Sequence, residues 1–194
     1  MILTLAVAAG LAAGIGRARW RGHPYQPPEL KHPWLVLVAF LPQFIAFYLP
    51  DTRHQIPDEW AKVFLASSQL LLLGFAWLNR KLPGMTILLV GTALNFTVMA
   101  ANGGFMPISP QTASRLVPVE VLRDISPGER FGTKDILLPP EETRFEWLSD
   151  RFLPPAWFAY QVAFSLGDVF LAFGVFRLLA AQNQFTQPVK QELT

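Results

Sequence analysis

The sequence predicts an all-α membrane protein: five transmembrane helices, with a proline-rich, structured extracytoplasmic loop between the fourth and fifth. Composition and pattern both point there. Of 194 residues, 52% are hydrophobic and only 15% charged, and 16 Phe and 6 Trp help fill the deficit. A soluble domain usually carries about 25% charged residues. The apolar residues also gather into five long stretches, and the mean hydropathy is +0.31.

The five stretches run over residues 2–16, 34–49, 60–78, 84–101 and 156–181. A spanning helix needs roughly 20 apolar residues, and the third, fourth and fifth stretches meet this directly. The second meets it with Pro33 and Pro50 as end residues. The first is short, reaching only about 24 Å at the helical rise per residue. Its flanks argue against a secretory signal, which places positive charge before the apolar run. Here Arg17, Arg19 and Arg21 follow the run, the order expected of a retained helix whose N-terminus crosses outward.

Short-loop charges set the remaining orientation. The loop after the first helix carries Arg17, Arg19, Arg21 and Lys31 against Glu29, whereas the next has Arg53 against Asp51, Asp58 and Glu59. Arg80 and Lys81 follow the third helix, and Arg177 and Lys190 mark the C-terminal side of the fifth. Basic and acidic loops thus alternate as the positive-inside rule requires. The expected topology is a multi-pass membrane protein, N-terminus out and C-terminus cytoplasmic, with loop 102–155 outside. Trp20, Trp34, Trp60, Trp77 and Trp157 fall at predicted helix ends, where an indole keeps its N–H wet and its ring in lipid. The loop holds eight prolines interleaved with apolar pieces. A disordered segment is poorer in such apolar residues, so a compact cap is expected, with an amphipathic turn near residues 119–122.

Asp168 is the one acid inside an apolar stretch. Counted from Pro155, it falls roughly 20 Å below the outer surface, and an intramembrane carboxylate is costly enough to be a functional candidate. The competing reading is a hydrogen-bonded Asp tying two helices together. Gln43, Gln69, Thr92 and Ser165 fall at similar depth and Asn95 nearer the outside, so these six residues form a candidate polar layer. Each polar residue alone is more often an interhelical hydrogen bond than a ligand contact. Gly10 and Gly14 form a GxxxG, and Ala159, Ala163 and Gly167 recur at i+4; both patterns permit close helix approach. Asn102, Gly103, Gly104, Met106 and Pro107 form an outer-loop motif. Its glycines are expected to cap a helix, the alternative being an anion nest.

The missing chemistry also bounds function. With no cysteine, disulfides, thiolate metal sites and a Cys nucleophile are excluded. His23, His32 and His54 all fall in loops, so bis-His haem within the chain is not expected. There is no HExxH, GxSxG or P-loop. No catalytic, metal or cofactor set is expected. The near-balanced charge of +2 is scattered, and no nucleic-acid partner is expected.

The stretches Asn102-Gly-Gly-Phe-Met-Pro-Ile-Ser109, Thr143-Arg-Phe-Glu-Trp-Leu-Ser-Asp150 and Ser165-Leu-Gly-Asp168 resemble the bacterial membrane family catalogued as domain of unknown function 5317. The resemblance covers nearly the whole chain. Ser149 stands where that family's pattern has Gly, and Leu166 where Ile is common. It implies a multi-pass plasma-membrane protein and no known activity. The functional expectation is a non-enzymatic accessory or assembly subunit of a larger membrane complex, for instance an energy-transducing one. Its partners would be the bilayer and other subunits or a second copy. The alternatives are a small transporter or lipid-handling protein using Asp168, and an intramembrane enzyme.

Overall fold

A computed structural model describes residues 2–47, 56–158 and 160–181. Five apolar helices dominate it: α1 (Ile2–Trp20), α2 (Trp34–Phe47), α3 (Asp58–Leu78), α4 (Met85–Ala101) and, after a long insertion, α7 (Leu166–Ala180). Of these, α1 and α3 are long and apolar enough to cross a membrane, and α2 and α4 are shorter apolar helices. The insertion folds as a cap. It contains β1 (Met106–Ile108), the short helices α5 (Pro110–Ala113) and α6 (Val119–Arg123), then β2 (Arg130–Phe131), β3 (Asp135–Leu137) and two 3-10 turns. The chain is therefore mostly helical and not all-α. β3 is the middle strand, parallel to β1 and antiparallel to β2. Strands of two or three residues are too short to show alternation, and the β1–β3 pairing joins segments distant in sequence.

The helices pack in single file, in the order α1, α7, α4, α3, α2. Glycine sets the closest seams. On α4 and just before it, Gly91 and Gly84 lie against Gly167 and Gly174 of the antiparallel α7. A Cβ on Gly91 would come within 2.7 Å of the Gly167 carbonyl, and one on Gly174 within 2.7 Å of the Leu88 nitrogen. The predicted GxxxG is a second seam: Gly10 and Gly14 face Phe176 and Leu179 of α7. Because α1 runs parallel to α7, their C-terminal ends meet. There the Arg17 guanidinium donates to the Ala180 carbonyl (3.1 Å) and the Tyr25 hydroxyl to the Leu179 carbonyl (2.7 Å). These bonds satisfy carbonyls that a helix end leaves without an intrahelical partner.

Several predicted boundaries are corrected. α1 runs on to Trp20, so Arg17 and Arg19 sit in its last turn. The fifth helix starts at Leu166 and not at residue 156, because Phe164 pairs with Phe152 as extended backbone and Ser165 provides an N-cap. The insertion accordingly runs from 102 to 165, and Ala163, outside the helix, does not share a helical stripe with Gly167. Residues 48–49, Asp51, Arg53, His54, Ala159 and Lys190 lie outside the described residues.

The cap has its own core, in which Ile108, Ala113, Phe131 and Leu137 are buried together. Phe105, Met106 and Leu148 join Leu65, Val98 and Met99 in another cluster that fastens the cap to α3 and α4. The turn expected near residue 119 is α6, with Val119 and Val121 outward.

A candidate polar site where the cap meets the helices

The site is assembled by the first turn of α7. Ser165 accepts a hydrogen bond from the Asp168 backbone N–H (3.1 Å), and Asp168 Oδ2 accepts one from the Ser165 N–H (3.2 Å). This capping box satisfies two otherwise orphaned helix donors. The pair is then locked to α4. Asn95 Nδ2 donates to Asp168 Oδ1 (2.8 Å), and Asn95 Oδ1 accepts from the Ser165 hydroxyl (2.8 Å). Space for the carboxamide exists because residue 167 is glycine: a Cβ there would lie 2.0 Å from Asn95 Oδ1.

Asp168 therefore sits one turn into a helix that starts late, and not deep in a long span. Three of the six polar-layer residues, Asn95, Ser165 and Asp168, come together. Thr92 is buried but donates within α4 to the Leu88 carbonyl. Gln43 belongs to a separate α2–α3 contact, donating to Ser68 Oγ (2.7 Å), which in turn donates to the Ala39 carbonyl beside Pro42. Gln69, on α3, has a buried carboxamide oxygen without a partner among the described residues.

The outer-loop motif builds the other wall. α4 ends in a Schellman-type turn, with Gly103 and Gly104 at φ +80° and +98° and the Gly104 N–H bonded to the Met99 carbonyl (2.8 Å). A side chain on Gly104 would also strike the Lys62 stem, 2.9 Å away. Asn102 exchanges two hydrogen bonds of 2.9 Å with the Arg144 backbone, tying the motif to the segment that ends at Asp150. The Met106 N–H then bonds the Lys134 carbonyl (2.9 Å), and the Pro107 carbonyl accepts the Asp150 N–H (3.0 Å). All three motif stretches thus converge on one place.

Lys134 and Asp135 are the residues that sequence reasoning missed; a Lys-Asp pair in a long loop carries no signal. Asp150 was visible only as the end of a motif. The Lys134 ammonium donates to Asp150 Oδ2 and to Asp135 Oδ1, the latter at 3.1 Å. Asp150 is 1% exposed, and its Oδ1 has no partner among the described residues. Burial, reinforced by the charges of Asp135 and Asp168, pushes Asp150 from 3.8 up to about 8 against the pull of Lys134. Burial also works against the charge on Lys134, but Asp135, Asp150 and Asp168 together outweigh it and raise its pKa. The two shifts are compatible. One ammonium that contacts Asp135 and Asp150 and feels the charge of Asp168 stays charged when one of these acids holds a proton, and Asp150 is the acid whose buried oxygen has no partner among the described residues. The arrangement can store a proton at the junction of cap and helices. Among the described residues no three acids or histidines converge as metal ligands would.

Comparison with known proteins supports the family that the sequence resembles. An uncharacterised protein of Thermotoga maritima is 26% identical over 160 residues, spanning 82% of this chain and 83% of that protein. No solved structure matches. The family model of unknown function DUF5317 matches residues 28–180, a range that contains every residue of the polar site. The chain belongs to the DUF5317 family.

Proposed function

We propose that this chain crosses the bacterial plasma membrane five times, N-terminus out and C-terminus cytoplasmic, as a non-enzymatic accessory or assembly subunit of a larger membrane complex. The observation that carries this reading is the single file of helices. A row one helix thick has two broad faces and no enclosed interior, which suits a wall laid against other subunits better than a transport path. Exposed apolar side chains cover those faces, among them Leu37 at 73%, Leu41 at 54% and Phe173 at 50%. The orientation is supported by charge placement. Arg17, Lys31 and Arg177 gather at the end where α1, α3 and α7 finish, opposite the cap. The reading as a transporter working through Asp168 draws less support, because both carboxylate oxygens are engaged in holding α7 to its cap and to α4.

The test is mild detergent extraction of the native membrane, then size-exclusion chromatography and mass spectrometry. Recovery in fixed stoichiometry with larger subunits is expected, and Asp168→Asn should preserve that association wherever it folds. Recovery of the chain alone, or as a homodimer, sinks the accessory reading.

A further inference from the structure

The segment leading into α7 is apolar, and its described residues from Phe152 to Phe164 are neither helical nor buried. Residues 152–167 contain no Asp, Glu, Lys or Arg. Phe152 and Phe164 close the base of a loop: their backbones exchange hydrogen bonds of 3.1 and 2.9 Å, and their rings stack at 5.8 Å. Between them Trp157 is 81% exposed and Tyr160 is 70% exposed. The Gln161 amide donates to the Pro155 and Phe158 carbonyls, fixing the loop's shape. A cavity of about 450 Å³ opens at its flank, lined by Leu153, Pro154, Ala156, Gln161 and Arg115. The Arg115 guanidinium makes no ion pair or side-chain hydrogen bond among the described residues.

Helix length says where this loop lies. The 15 residues of α7 span only about 22 Å, against about 30 Å of hydrocarbon. The apolar run does not extend past Ala181, where Gln182-Asn183-Gln184 follows. The missing depth is therefore on the outer side, where the uncharged loop precedes the helix. Trp and Tyr are the residues that tolerate such an interface, ring in lipid and polar atom in water. An unpaired guanidinium beside an apolar wall complements a phosphate attached to a greasy body.

We propose that Leu153, Pro154, Ala156, Trp157, Tyr160 and Arg115 form a binding site for an anionic phospholipid. Its phosphate sits on the Arg115 guanidinium, its backbone lies against Leu153, Pro154 and Ala156, and Trp157 and Tyr160 seat the loop in the interfacial layer. This rests on the membrane-spanning reading, and the experiment separates the two.

The purified chain is titrated in detergent with phosphatidylglycerol or phosphatidylcholine, and melting temperature and lipid retention are followed. Phosphatidylglycerol is expected to bind better, and Arg115→Gln to weaken it about tenfold by removing a charge-assisted bond, with Arg115→Lys recovering part. Equal response to the two lipids, or an unchanged preference in Arg115→Gln, overturns the site. In bilayers of brominated-chain phospholipid, Trp157→Phe should remove one tryptophan's share of the quenching. If the other tryptophans are quenched and Trp157 is not, the loop lies outside lipid and the site fails while the spans stand. If no tryptophan is quenched, both fail.

Discussion

Asn95, Ser165 and Asp168 show how a few polar side chains settle the placement of a helix. Ser165→Ala removes both an N-cap acceptor and the donor to Asn95, for which a loss of about 1–2 kcal/mol is expected. Gly167→Ala should cost about 1–3 kcal/mol, because the added methyl and the Asn95 carboxamide claim the same space. Thermal melts in a fixed detergent check both, with Gly16→Ala, whose Cβ would meet nothing within 4 Å, as the control for which no loss is expected. Asp150 yields a pH prediction. Its folded value is raised, so its contribution to stability is full below the unfolded value of 3.8 and is lost as pH rises through about 8. The melting temperature should fall across that window, and Asp150→Asn should flatten the fall. A slope identical in the two proteins contradicts a proton held at Asp150.

At the scale of elements, the start of α7 is decided by neighbours. Residues 156–165 are apolar enough to read as helix, yet the Phe152–Phe164 backbone pairing and the Ser165–Asp168 capping box begin the helix at Leu166. The far end of α7 depends on α1, through Arg17 and Tyr25. Tyr25→Phe removes one donor to a helix-end carbonyl, a loss of about 1 kcal/mol. The reading is checked by faster amide exchange in the last turn of α7 with no change in α3. The Gly10–Gly14 seam was legible because GxxxG needs no partner to be recognised. The Gly84/Gly91 and Gly167/Gly174 seam was not, since a seven-residue spacing acquires meaning only when two antiparallel helices set the pairs opposite each other.

For the whole molecule, the absence of cysteine makes topology directly measurable. Single cysteines at Arg21, Arg80 and Glu141 can be labelled in intact cells without background. The five-span reading expects a membrane-impermeant reagent to reach only position 141. Labelling at 21 or 80 would reverse the orientation or reduce the number of crossings.

The sequence by itself determined the apolar character of the chain, the existence of its main helices and the close-packing face of α1. These follow from composition and from periodicity along one strand of chain, which are local properties. It also marked the three motif stretches and the residues Asn95, Ser165 and Asp168, without showing that they touch. Tertiary structure decided the single-file order of the helices, the late start of α7, the small sheet, and the meeting of Lys134 with Asp135 and Asp150. A lysine's partner 16 residues away, and an asparagine's partners 70 and 73 residues away, are fixed by how the cap folds back onto the helices. No local pattern encodes such a contact, because its free energy exists only once both sides are in place.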